Sequence, residues 1–205
     1  SFGLDFSTRG RNISVIFGDG AGAVVLQPTQ KDGQGILSTH LHSDGDSAEI
    51  LAMYNPGTHA NHWVTDPVAK FDEAEMGQMF MSHAMIDDAQ NFPNMDGPSV
   101  FKKAIVKMPE VVHEALTANG LTAADINMLI PHQANLRIAQ FVQQKLQLRD
   151  DQVYNNIQKF GNTTAASVPI ALCEAWEQGK IKEGDLVCLA AFGSGFTWAG
   201  ALIRW

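Results

Sequence analysis

Basic residues are scarce in this sequence. Lys and Arg together number 14 among 205 residues, Asp and Glu number 22, and the formal net charge is −8. Because an acidic protein is repelled by nucleic acids and anionic membranes, both are disfavoured as partners unless basic side chains cluster locally. The hydrophobic content of 45% and the charged content of 18% are ordinary for a globular protein, so a disordered chain is not the default expectation.

Cysteine is equally rare. Cys173 and Cys188 lie in apolar stretches without CxxC or CxxH spacing, so the sequence gives no support for a disulfide framework or a zinc site, and both read as buried hydrophobes rather than nucleophiles. No apolar run reaches the roughly 18 residues of a membrane span, and the first residues lack the pattern of a signal peptide. We expect a cytoplasmic protein, and the start at Ser1 rather than Met suggests a cleavage product or a part of a longer chain.

Two further patterns resemble ligand sites only superficially. The glycines of GDGAGA follow G-x-G-x-G spacing and lead into AVVL, whereas the dinucleotide fingerprint needs G-x-G-x-x-G opening a helix. A possible metal site is a polar segment that contains His59, His62, Asp66 and Asp72. This segment has no helix pattern that would fix these side chains as ligands. Surface histidines are the simpler explanation, so we expect no metal site.

Hydrophobic periodicity predicts the order of strands and helices. Residues 13–17 and 23–28 are apolar runs predicted to form two neighbouring strands around the glycine turn, and residues 36–43 alternate as a strand does. Residues 55–94 show no clear period. We interpret that stretch as an insertion or lid, with a helix near residues 70–90.

The second half of the sequence alternates strands with helices. A helical pattern begins at Val100 and stops at Asn119-Gly120. The elements predicted after it are a strand at 126–130, a helix at 135–146, a strand at 153–157, a helix at 169–178, and strands at 186–192 and 196–205. This order predicts an α/β layered domain with functional groups in the loops at strand ends.

Two of those loops carry candidate site residues. His132 follows an apolar strand in PHQANLR, and Asn162 follows Gly161 in GNTTAAS. A histidine N–H and an asparagine amide are neutral donors that stabilise an oxyanion when they are held in a dry site. From local sequence alone, a packed histidine and a turn or helix-capping asparagine explain the two residues equally simply.

The motifs together resemble one family. FGDGAGAVVL, THLHSDG, PHQANLR, GNTTAASVP and AFGSGFTWAGALIRW occur in the order found in the C-terminal half of type III β-ketoacyl-acyl-carrier-protein synthases. The resemblance implies a thiolase-like layered fold of which residues 1–205 form the C-terminal α/β half, with an insertion at about 55–94. It also implies a Cys-His-Asn triad whose cysteine belongs to an absent N-terminal half.

The resemblance assigns roles to individual residues. It makes His132 and Asn162 the catalytic donors of the triad. It implies that the oxyanion and acyl path is lined by Phe192, Gly193 and Ser194. It also implies a pantetheine channel at Gly97, Phe101, Ala134 and Asn135. At the rim of that channel, it implies that Lys102 and Arg137 contact the carrier protein.

The implied activity is an acyl transfer in fatty acid synthesis, in which an acyl primer condenses with malonyl carrier protein as carbon dioxide leaves. The implied partners are acyl carrier protein, an acyl-CoA primer and a second copy of the full-length enzyme. Coenzyme A or carrier-protein thioesters would be substrates, and no separate cofactor is expected. A polyketide or specialised-lipid synthase of the same class and a non-catalytic subunit beside an active homologue stay open as alternatives.

Overall fold

A computed structural model describes residues 10–53, 86–87 and 91–205 of the chain. In chain order, the α-helices and strands of the described residues are α1 (Arg11–Ser14), β1 (Gly35–Ser43), β2 (Leu51–Ala52), β3 (Asn94–Met95), α2 (Gly97–Ala118), β4 (Met128–Pro131), α3 (Leu136–Lys145), α4 (Ile157–Phe160), α5 (Ser167–Glu177), β5 (Leu186–Gly193) and β6 (Thr197–Arg204). Within these described ranges, no helix has the length and apolar character needed to cross a membrane.

The central element is a four-stranded mixed sheet in the order β1-β6-β5-β4. Strands β1 and β5 both pair with β6 in antiparallel fashion, whereas β4 and β5 are parallel. Parallel neighbours need a crossover connection, and the chain between β4 and β5 supplies it with α3, α4 and α5. The predicted α/β layered class is confirmed.

Helices cover both faces of this sheet. Leu129 and Cys188 belong to the core beneath α2 and α3, whereas Met128, Ile130 and Val187 belong to the core beneath α5. Successive residues of a strand point to opposite faces, so a strand buried on both sides is apolar at every position. The four residues of β4 are all buried, as that rule requires.

Helix α2 is the main support of the sheet on one face. Its buried positions repeat at helical spacing, at Ala104, Met108, Pro109, Val111, Val112, Ala115 and Leu116. The helix approaches β6 so closely that a Cβ at Gly200 would lie 3.1 Å from a methyl group of Val111. At the sheet edge, His40 Nδ1 and His42 Nε2 lie 3.1 and 2.6 Å from the carboxylate oxygens of Glu114.

Most of the predicted elements are confirmed, and three strands are wrong. Residues 11–14 are helical, residues 21–30 have no strand pairing, and Val153 makes only an isolated bridge with Leu129. A β-branched run forms a strand only where another backbone can pair with it. Near residues 13–17, that pairing is limited to one bridge between Phe17 and Asn162.

The insertion and helix predicted within residues 55–94 lie almost wholly outside the described residues. The two flanks of that segment are described, because β2 ends at Ala52 and β3 begins at Asn94. These two short strands pair antiparallel. The chain therefore leaves and re-enters the described fold at one place.

Burial on α2 gives a test of how the fold is stabilised. Val112 is 0% exposed and Val106, on the same helix, is 48% exposed. We expect Val112→Ala to lower the free energy of unfolding by about 2 kcal/mol, because buried methyl groups are lost and a cavity forms. Val106→Ala has the same effect on helix propensity and should change stability by less than about 0.5 kcal/mol. Urea unfolding followed by circular dichroism measures both, and equal losses would contradict this packing.

Candidate functional site

One cavity of about 1300 Å³ opens at the ends of the central strands. Nine residues singled out from the sequence line it together: His132, Asn162, Phe192, Gly193, Ser194, Gly97, Phe101, Ala134 and Asn135. The structure also places Leu41, His42 and Trp198 on its wall. The cavity is thus built from the helix starts and the strand-end loops, where α/β proteins bind ligands.

His132 occupies the first position after β4. Its backbone N–H donates to the carbonyl of Ala190 over 2.8 Å, which continues the pairing of β4 with β5 and fixes the start of the loop. The ring Nδ1 lies 2.6 Å from Oγ of Ser167. Burial lowers the pKa of His132 to about 4, because a charged ring would lose its hydration. At pH 7 the ring is therefore neutral.

Asn162 is fixed by both its backbone and its side chain. Gly161 before it has a φ of +66°, a left-handed conformation that glycine adopts without strain. The backbone of Asn162 bonds to Ile16 and Gly18 at 3.0 and 2.9 Å. Its side-chain Oδ1 accepts from the N–H of Thr164 at 2.9 Å. Within the described residues, the amide nitrogen is left without a protein partner and remains free to donate.

The end of β5 and the turn after it form a third part of the cavity wall. Phe192 is 6% exposed, and its ring lies 4.9 Å from that of Phe196 and 6.4 Å from that of Trp198. Ser194 donates its hydroxyl to the carbonyl of Leu51 over 2.6 Å. The side chain of Ser194 thereby ties this turn to β2.

Two helices contribute their first turns to the cavity. Gly97 and Phe101 come from α2, and Ala134 and Asn135 come from the segment that leads into α3. Asn135 is also the N-cap of α3, since its Oδ1 accepts from the N–H of Arg137 at 2.9 Å. This hydrogen bond fixes one end of the Asn135 amide at the cavity edge.

Lys102 and Arg137 stand apart from the other candidates. Both side chains are exposed on α2 and α3, and neither lines the cavity. In residues 10–53 and 91–205, no salt bridge holds either of them, whereas the neighbouring Lys103 pairs with Asp44 at 2.9 Å. A role for Lys102 and Arg137 in binding a carrier protein stays a prediction.

Comparison with known proteins supports one family. Two models of this family match the chain: 3-oxoacyl-[acyl-carrier-protein] synthase III over residues 1–45 and the C-terminal model of the same synthase over residues 116–205. A β-ketoacyl-[acyl-carrier-protein] synthase III of Rhodospirillum centenum is 43% identical over 205 residues. The chain belongs to the synthase III family. The match covers 98% of this chain and 54% of that relative, so the chain spans about half the relative's length.

Solved synthase III structures have the same fold. The enzyme from Aquifex aeolicus superimposes with a TM-score of 0.75 at 36% identity, covering 95% of this chain and 52% of that one. The enzyme from Pseudomonas aeruginosa gives 0.76 at 35% identity, with coverage of 95% and 52%. The thiolase-like α/β fold expected from the motifs is confirmed.

The sequence did not reveal the residues that hold the two candidate donors in this synthase III domain. Ser167 bonds to His132, and Thr164 bonds to Asn162. The buried Gln133 bonds to the backbone of Pro131 and of Asn156. All three lie inside the motifs PHQANLR and GNTTAAS. The small polar residues of these motifs indicate that hydrogen bonds form there, but the sequence does not show which atoms pair.

The depressed pKa of His132 predicts a pH dependence of stability. The unfolded histidine titrates near 6.5 and the folded one near 4, so between these values the unfolded chain binds more protons and stability falls as the pH falls. The full effect is up to about 3 kcal/mol. When urea unfolding is measured at pH 7 and at pH 4, the free energy of unfolding should fall further in the unsubstituted chain than in the His132→Gln variant. Parallel curves for the two proteins would refute a buried neutral His132.

Proposed function

We propose that this chain is the C-terminal half of a condensing enzyme that joins an acyl primer to malonyl-acyl carrier protein in fatty acid synthesis. One observation carries the proposal. His132 and Asn162 line the same cavity, and each is held through its other polar atom, Nδ1 in His132 and Oδ1 in Asn162. This leaves a ring nitrogen and an amide nitrogen available to one ligand.

The proposed chemistry requires two neutral donors at one oxygen. The malonyl thioester loses carbon dioxide, and the electron pair of the broken C–C bond passes to the thioester oxygen as an enolate. His132 and Asn162 stabilise that oxygen by hydrogen bonds that strengthen as its charge develops. The enolate carbon then attacks the acyl group on a cysteine, and the thiolate leaves. The breaking bond supplies the electrons, so the proposed reaction uses no cofactor beyond the thioester substrates.

The nucleophilic cysteine is proposed to come from the missing half. Cys188 is fully buried, and burial raises the pKa of its thiol to about 12. Cys173 is exposed on α5, so its predicted burial was wrong, and it does not line the cavity. Partial desolvation and then the nearby Glu177 raise the pKa of Cys173. Neither thiol is suited to form a reactive thiolate beside His132.

We further propose acyl carrier protein as the partner, with Lys102 and Arg137 as its basic contacts. Both are exposed and free of ion pairs in the described part of the chain, on helices whose first turns line the cavity. Such contacts attract an acidic partner more through the rate of association than through final affinity. A homodimeric full-length enzyme in the cytoplasm is part of the same proposal.

The isolated chain should not condense an acyl-CoA with malonyl carrier protein, because neither Cys173 nor Cys188 is placed to receive the acyl group. The same chain joined to its native upstream half should form a β-ketoacyl product. Radiolabelled acyl-CoA measures loading, and product formation measures condensation. A condensation product from the isolated chain would contradict the proposal. A complete enzyme that neither loads acyl groups nor condenses would favour a non-catalytic subunit.

In the complete enzyme, His132→Ala and Asn162→Ala should each slow the release of carbon dioxide from malonyl carrier protein. A lost oxyanion donor costs roughly 10²-fold or more in rate, whereas loading of the cysteine should persist at least in part. His113→Ala is the matched control, since His113 is exposed on α2 and does not line the cavity. Unchanged carbon dioxide release in both cavity variants would show the mechanism to be wrong.

A further inference from the structure

The hydroxyl of Ser167 links the loop of His132 to the start of α5. Ser167 is 2% exposed, and its Oγ lies 2.6 Å from Nδ1 of His132. The backbone N–H of Gln133 points at the same oxygen over 3.3 Å. Because a backbone N–H can only donate, one lone pair of the serine oxygen is already occupied. The remaining question is which group accepts the hydrogen of the Ser167 hydroxyl.

Only one proton arrangement satisfies all of these groups. Burial lowers the pKa of His132 to about 4, so at pH 7 the ring carries one N–H. If that hydrogen were on Nδ1, Ser167 would accept two hydrogen bonds, and its own buried hydrogen would have no acceptor in the described part of the chain. If Ser167 donates to Nδ1, each group is paired, and buried hydroxyl groups strongly favour being paired.

We propose that Ser167 is a positioning residue that holds His132 in the tautomer with its hydrogen on Nε2. Ser167 does not line the cavity, so it acts only through the ring. The inference rests on the proposed function in one respect: the Nε2–H it fixes is the donor that the enolate oxygen needs. A ring with its hydrogen on Nδ1 would present a lone pair to that oxygen and repel it.

The tautomer can be measured directly. Long-range ¹H–¹⁵N correlation spectra of the ¹⁵N-labelled chain at pH 7 distinguish the two ring nitrogens, and His132→Gln identifies the signals. In the unsubstituted chain, we expect the Nε2–H tautomer to be favoured by roughly tenfold or more, because the Nδ1–H tautomer would leave a buried hydroxyl unpaired. Ser167→Ala should lower that ratio several-fold, and Ser167→Thr, which keeps the hydroxyl, should restore much of it.

A buried serine elsewhere serves as the control. Ser47 is 8% exposed and donates to Asp44 over 3.1 Å, away from the cavity wall. Ser47→Ala should leave the tautomer of His132 unchanged. The proposal is overturned if His132 of the unsubstituted chain carries its hydrogen on Nδ1, or if Ser167→Ala leaves the ratio of the two tautomers unchanged.

Activity of the complete enzyme supplies an independent readout. Ser167→Ala should slow carbon dioxide release by roughly tenfold while acyl loading persists, with recovery in Ser167→Thr and no effect of Ser47→Ala. The two ideas fail separately. If the tautomer is confirmed but His132→Ala leaves carbon dioxide release unchanged, the proposed function alone is contradicted. A strong His132→Ala effect with an unchanged tautomer in Ser167→Ala would sink only the role of Ser167.

Discussion

The side chain of Gln133 makes the contacts on which the geometry of the cavity depends. Its Nε2 donates to the carbonyls of Pro131 and Tyr154 at 2.8 and 3.3 Å, and its Oε1 accepts from the N–H groups of Asn156 and Ile157 at 3.0 and 3.1 Å. At 2% exposure, this amide has all four of its hydrogen-bonding positions occupied by backbone. It therefore joins the end of β4 to the segment that leads towards Asn162.

That link explains how two loops distant in sequence can present donors with fixed geometry. The His132 loop is held by Gln133 on one side and Ser167 on the other, and the Asn162 loop is held by the bridge to Phe17. Donors that are already oriented need no reorganisation when charge develops on a ligand oxygen. A chain of satisfied buried hydrogen bonds also resists partial opening, since each bond broken leaves an unpaired group.

The sequence predicted the elements whose signals are local. The regular spacing of apolar residues from Ala104 to Leu116 predicted α2, and Asn119-Gly120 predicted where the helix ends. The strands predicted at residues 13–17 and 23–28 were wrong because strand formation depends on a partner backbone, which a local pattern does not report. The bond between His132 and Ser167 joins residues 35 apart. The motifs placed His132 and the segment GNTTAAS in loops at strand ends, but only the packing of α5 against the sheet decides that Ser167 contacts His132.

The scarcity of fixed positive charge on the described part of the cavity wall fits the chemistry proposed for it. Within the described residues, neither Lys nor Arg lines the cavity, and His132 is kept neutral by burial. A fixed positive charge there would bind the malonyl carboxylate and stabilise the state that must lose carbon dioxide, which raises the barrier. Neutral N–H donors interact weakly with the uncharged thioester oxygen and strongly with the enolate. The low pKa of His132 is therefore part of how this wall would favour the transition state over the substrate.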